Sequence, residues 1–298
     1  MTLDTSTAQW SIRPAQRREA AVVRRLVPAL YRADVAPDRV LVAASGDAIV
    51  GVASIAWRAF GKSPGFPLHV HVIEAARRRG CGRALVRAAA EACRHDTDRL
   101  HGWDSVEEGT PAARFAAAAG FTVLRRMLHY ETDGEPFYAM VAGIHARLRQ
   151  RGAIPPDAHT VPLAEAPHAE VAALLSEAFG SRYDDALSRL RTNAPGGFDA
   201  QCSVVLIVDG RAQGALLYRV ADGLPVIDVR VVSPTLRGRW ANVLLMHDAT
   251  RNGLAAGARR FHFHCEDGNA DTLSLARRVG APALRTALEF SAPLETLL

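Results

Sequence analysis

Along the first half of the chain, apolar and polar side chains alternate over 11–15, continuous apolar runs of the kind a buried strand shows fill 40–44 and 48–57, and apolar residues recur every three to four positions over 16–34. Alternation suits a half-buried strand and the longer period an amphipathic helix. The predicted order is therefore strand, helix, strand, strand. A glycine- and proline-bearing break at 61–66 (GKSPGF) is followed by a strand at 67–73, a helix at 80–94, a strand at 100–106, a helix at 111–119 and a strand at 121–130. The first half thus reads β-α-β-β-β-α-β-α-β.

A helical stretch at 137–150 runs into Gly152-Ala153-Ile154-Pro155-Pro156-Asp157, whose glycine and paired prolines read as a connector. From about Thr160 the pattern starts again, with a helix at 169–179, strands at 203–208, 213–220 and 226–232, and then helix, strand, helix, strand. Arg77 and Arg237 open corresponding strand-to-helix turns, and Gly120 and Gly280 end corresponding helices, each pair 160 positions apart. Matching spacing and element order indicate two copies of one fold, each of about 130 to 150 residues. The expected division is a first domain at 1–135, a helical connector at 136–159 and a second domain at 160–298. Both belong to the α/β class with a mixed sheet.

The chain has 298 residues, 49% of them hydrophobic, and a formal net charge of +5. No apolar run approaches the roughly 20 residues needed to cross a bilayer, and Met1 to Trp10 lacks the basic-then-apolar order of a signal peptide. The expectation is a cytoplasmic protein without a membrane partner. The cysteines Cys81, Cys93, Cys202 and Cys265 have no CxxC spacing, which fits a reducing compartment. The cations are almost all arginine and are interspersed with acids, which argues against a nucleic-acid surface. His69 and His71, like His262, His264 and Cys265, alternate along strands without a third ligand at metal-site spacing, so no metal is expected.

One basic tract stands apart. Val72-Ile73-Glu74-Ala75-Ala76-Arg77-Arg78-Arg79-Gly80-Cys81-Gly82-Arg83-Ala84-Leu85 reads as a strand, a basic turn with two glycines, and a helix. Gly80 and Gly82 permit a close backbone approach and unusual dihedrals. The first helical N–H groups point outward with the positive end of the helix dipole behind them, which makes an anion cradle. No GxxxxGK[ST] occurs, and the tract does not follow the first strand of a βαβ unit, so ATP and NAD are disfavoured.

Arg77-x-x-Gly80-x-Gly82 resembles the acetyl-CoA signature Q/R-x-x-G-x-G/A of the GNAT superfamily of N-acetyltransferases, and the element order resembles that fold in both halves. The resemblance implies acetyl-CoA as co-substrate, held by Val72, Glu74 and the run Arg77, Arg78, Arg79, Gly80, Cys81, Gly82, Arg83 and Ala84. It also implies an amine acceptor, most simply a small molecule, that attacks the thioester directly, with a strand N–H near Val72 facing the acetyl carbonyl. For the base, Asp104 on the fifth strand, His69, His71 and Glu74 all stay open beside water. The tyrosine that usually protonates the leaving thiolate has no counterpart, since Phe115 and Ala116 stand in its place and Ala276 in the second copy. A non-catalytic acyl-CoA-binding module and a peptide or protein N-acetyltransferase are the competing readings.

The second copy keeps the arginine as Arg237 but has Trp240 and Asn242 where the first has Gly80 and Gly82. An indole at a close-approach position is expected to fill the pyrophosphate space. The second copy would then bind acetyl-CoA weakly and serve to pack, to shape the acceptor pocket or to form a homodimer.

Overall fold

The computed structural model describes residues 10–27, 39–56, 65–180, 186–187, 190, 197–221, 224–238 and 240–298. In chain order the elements are β1 (Ser11–Pro14), α1 (Ala20–Leu26), β2 (Arg39–Ser45), β3 (Ala48–Ile55), β4 (Phe66–Val72), α2 (Cys81–Cys93), β5 (Arg99–Gly102), β6 (Val106–Glu107), α3 (Pro111–Ala118) and β7 (Thr122–Asp133). They continue as α4 (Gly134–Gln150), β8 (His159–Pro162), α5 (His168–Phe179), β9 (Val204–Val208), β10 (Arg211–Ala221), β11 (Leu224–Val232), α6 (Ala241–Ala255), β12 (Arg260–Glu266), α7 (Ala270–Arg278), β13 (Ala283–Pro293) and α8 (Leu294–Leu297). The fold is mixed α/β, and the expected order recurs in both halves. The helix expected over 16–34 resolves into a short turn at Arg17–Glu19 and α1, and the rest of it, like most of the 57–66 loop, lies outside the described residues.

The compact units do not follow the linear division. One comprises Met1–Leu124 with Leu288–Leu298, the other Arg125–Ala287. In the first, β1 to β4 form an antiparallel ladder, β5 adds in parallel to β4, and the last strand of the chain closes the sheet antiparallel to β5 through Ser291↔His101, Ala292↔Leu100 and Pro293↔Arg99. In the second, β8 to β11 form the ladder, β12 adds in parallel to β11, and β7 closes it antiparallel to β12 from Met127↔Glu266 to Asp133↔Arg260. β7 and β13 occupy equivalent places in the repeat, 160 positions apart, so each copy's final strand completes the other copy's sheet.

Amphipathic patterning explains the cores. On α2 the buried positions are Cys81, Leu85, Val86, Ala89, Ala90 and Cys93, one face at helical spacing. They pack on Leu41, Ala43, Ala53, Ile55 and Leu68 of the sheet and on Leu288, Phe290, Ala292, Leu294 and Leu297 from the chain's end. The opposite face carries a smaller cluster of Val23, Val27, Val42 and Val52 under α1. Thr110 caps α3 by accepting from the Ala113 N–H at 3.3 Å, with Pro111 at the first helical position. In the second unit the stretch read as a connector is packed: α4 lies against α6, and Ile154 and Ala158 are buried in the unit's core.

Candidate active site

The site in the first unit begins where two strands part. β4 pairs with β5 from Phe66↔Leu100 to Leu68↔Gly102, and the Trp103 N–H closes the pairing on the Leu68 carbonyl at 3.0 Å. β5 ends at Gly102, whereas β4 continues to Val72. On its other edge β4 stays paired with β3 up to Gly51↔Val72. There the Ala56 N–H donates to the Pro67 carbonyl at 3.1 Å and the Ile73 N–H to the Val50 carbonyl at 3.0 Å. Those bonds commit the odd-numbered residues of β4 to β3, so Val70 and Val72 turn their backbone groups toward the gap left by β5. The Val72 carbonyl accepts from Arg77 Nε at 2.9 Å, and its N–H faces the opening. Val70 is a second such donor that the motif did not single out; strand alternation from Val72 is the signal that finds it.

The gap leads to the basic turn. Glu74 opens a short turn at Glu74–Ala76, exposed, with Ala76 buried beneath it. Arg78 adopts φ 63° and Gly80 φ 85°, both left-handed, and Gly80 caps α2. The Ala84 N–H already closes on the Gly80 carbonyl at 3.0 Å, which leaves the amides of Cys81, Gly82 and Arg83 without intrahelical partners. The Cys81 side chain is buried against the core, and that burial pushes its thiol up, so only its backbone serves the cradle. Arg83 donates to the Ala118 carbonyl at 2.9 Å and ties α2 to the end of α3. Arg77, Arg78 and Arg79 are exposed. Arg79 lines a small cavity of about 130 Å³ with Trp10 and Ile73. A methyl group on Gly82 would stand 2.9 Å from the Phe115 ring, so this aromatic residue lies directly over the second glycine.

His69 and His71 alternate with the core-facing Val70 and Val72 and therefore lie on the α1 face, across from Ser54 and Val52. His69 Nδ1 and the Ser54 hydroxyl are buried without hydrogen-bond partners among the described residues. Burial pulls the His69 imidazole below its usual range; Asp104 partly restores it and His71 lowers it further. Burial also lowers His71, and Arg77 adds to that. Asp104 is not on a strand as expected: β5 ends two residues earlier, and Asp104 sits in the bend before β6. Protein on one side of its carboxyl raises it above the usual range while His69 pulls it back, and the other side stays open to solvent. The structure thus brings His69, His71 and Asp104 to the mouth of the gap. Glu74 lies at the turn beyond it. Ala116 packs against the core and offers no proton.

Residues 36–123 match the family described as the acetyltransferase (GNAT) domain. Over that stretch the chain is similar to a GNAT acetyltransferase domain. Its match spans β2 through α3, the segment that holds both the strand gap and the glycine turn. GNAT folds cover the rest as well. A GCN5-related N-acetyltransferase from Sphaerobacter thermophilus is 15% identical over 97% of each chain with a TM-score of 0.61. A tandem GNAT protein from the clavulanic acid biosynthesis pathway is 18% identical over 96% of this chain and 98% of that one, also at 0.61. A GCN5-related N-acetyltransferase from Anabaena variabilis is 13% identical over 96% of this chain and 73% of that one, again at 0.61. No curated protein matches by sequence.

The second GNAT fold departs from the first in a way that sequence misjudged. Trp240 is not in the anion space: its indole is 8% exposed and belongs to the core of that unit. Its backbone is right-handed, φ −59°, where Gly80 is left-handed. Gly238 at φ 69° repeats the left-handed Arg78. The turn survives in the second copy, and the left-handed entry to the helix does not.

Proposed function

We propose that the protein transfers an acetyl group from acetyl-CoA to a primary amine of a small molecule, with the donor held in the first unit. The observation that carries this reading is the continuity of the strand gap with the cradle. The free N–H groups of Val70 and Val72 lead directly to the left-handed Gly80 and the unpartnered amides of Cys81, Gly82 and Arg83. The fit to a pyrophosphate is steric as well as electrostatic. A methyl group on Gly80 would meet nothing nearer than Trp10, at 4.0 Å, so the space beside that backbone is open.

The donor supplies an activated thioester. The Val72 N–H, aimed into the gap and fixed by β4's pairing with β3, is placed to stabilise negative charge developing on the acyl oxygen. An alkylammonium with pKa near 10 must lose a proton before it attacks. His69, its pKa lowered by burial and partly restored by Asp104, is the residue we assign to accept that proton, directly or through a water. His71 is the second candidate. With Ala116 in the family's usual tyrosine position, the thiolate leaves without a dedicated acid, which a thiol of pKa about 8.5 tolerates.

Ala116 also favours a second reading, a GNAT module that binds acyl-CoA without turnover. Release of free thiol from acetyl-CoA with a panel of amines separates the two. Amine-dependent thiol release is expected; tight CoA binding with none across small amines and peptides overturns the enzymatic reading.

A further inference from the structure

The second unit holds a cavity of about 670 Å³ where β11 and β12 part beyond Val226↔His262. This volume lies within the range of small-molecule sites. Its walls use the same repeat positions as the first unit's gap; of three that matter, two have changed and one is kept. Arg230 stands where the first copy has Val70, Leu275 where it has Phe115, and Arg237 where it has Arg77. Arg77 spends its Nε on the carbonyl of its own strand end, whereas the Arg237 guanidinium has no hydrogen bond or ion pair among the described residues. Arg230 donates to Thr272 Oγ1 at 2.9 Å, which fixes the guanidinium on the cavity wall.

The two carboxylates on the lining have arginine partners of their own. Asp228 is engaged by Arg219 at 3.1 Å and Glu266 by Arg125 at 3.5 Å. The remaining wall is largely apolar, with Phe137, Phe179 and Phe263 prominent. A cation at the Val70 position places charge inside the gap itself, where the first unit has a valine. The left-handed helix entry that makes the first unit's cradle is absent, because Trp240 has turned into the core. We propose that this cavity binds a non-nucleotide organic anion, a carboxylate on an apolar body, with Arg237 and Arg230 receiving the carboxylate and the aromatic walls the chain.

The proposal is independent of donor binding in the first unit, and its test keeps the two apart. Octanoate is titrated calorimetrically into the full chain saturated with CoA, beside octanol as the uncharged probe of equal length. One octanoate per chain is expected, with octanol at least tenfold weaker and no displacement of octanoate by CoA. R237E and R230V, the latter copying Val70, are each expected to weaken octanoate at least tenfold while leaving CoA affinity unchanged. Arg237 is exposed, so its reversal decides the matter even where R230V fails to fold. Equal binding of octanol and octanoate, unchanged octanoate affinity in R237E, or competition by CoA overturns the proposal.

Discussion

Gly80 and Gly82 are two residues apart in the same turn, yet alanine should act differently at each. At Gly80 there is room, since the nearest atom to an added methyl is 4.0 Å away, but the backbone sits at φ 85°. A left-handed conformation costs an L-residue about 1–2 kcal/mol, so G80A should lose that much stability or shift the turn to relieve it. At Gly82 the backbone is helical, and alanine gains about 0.5–1 kcal/mol in helix propensity over glycine. The methyl meets the Phe115 ring at 2.9 Å, but that ring edge belongs to a side chain 38% exposed and free to swing outward. The two effects nearly cancel, and G82A should match the wild type within about 0.5 kcal/mol.

CoA affinity should not follow stability. G80A redirects the turn and should weaken CoA by about tenfold, roughly 1.4 kcal/mol. G82A, which the last position of the signature admits, should leave CoA affinity unchanged, whereas G82W, with an indole over the amides that receive the pyrophosphate, should abolish binding. Urea unfolding gives the first quantity and calorimetric titration with CoA the second. A G82W protein that binds CoA as the wild type does would refute the placement of the pyrophosphate at the start of α2. A G80A protein of unchanged stability would refute the strain argument.

Truncation after Ala287 removes Leu288, Phe290, Leu294 and Leu297 from the first unit's core and leaves β5 without its outer partner. At about 1.5–3 kcal/mol for each buried side chain, four of them cost roughly 6–12 kcal/mol, comparable to the 5–15 kcal/mol that holds a typical domain. Hydrogen exchange should therefore show residues 10–124 unprotected in the truncated protein, and retained protection there would contradict the strand exchange. R78G should stabilise the protein by up to about 1 kcal/mol, because Arg78 is left-handed at φ 63° where the second copy has glycine; thermal melts measure it. His129 is held down to about 4 by burial first, then by Arg285, His264 and His262. The unfolded chain takes up that proton near pH 6.5, so stability is lost as pH falls from about 6.5 to 4, and H129F should flatten that part of the urea-midpoint profile. If His69 is the base, kcat/KM should fall on the acid side as its depressed pKa is crossed; an unchanged limb in H69Q would assign the proton elsewhere.

Element order and the 160-residue repeat were legible in the sequence because each rests on local periodicity, and the glycine turn because unusual dihedrals leave a compositional trace. The exchange of β7 and β13 left none. Both strands read as the ends of their own copies, and which β5-like edge each one joins is a long-range choice that alternation does not encode. The side-chain fate of Trp240 was misread for a related reason. A position aligned with Gly80 fixes where the backbone passes, but a change from φ 85° to φ −59° re-aims the side chain, and a large apolar group then follows its burial free energy into the core. Asp104 was placed on a strand because Leu100–Val106 alternates well enough; the bend after Gly102 follows from β5 departing from β4, which is a tertiary event.

The exchange also bears on why a copy without the glycine cradle persists. Were the two folds independent, loss of the cradle in the second would leave it free to decay. Here the first unit's sheet and core include residues 288–298, which the chain reaches only by passing through the second fold. An unfolded second copy would leave that segment at the end of a long flexible loop, whose closure costs more entropy than that of a compact one, whatever the copy binds. The second scaffold thus has a structural use that does not depend on its ligand chemistry, and an arginine inside the second cavity, where the first copy has Val70, is compatible with β13 in register with β5.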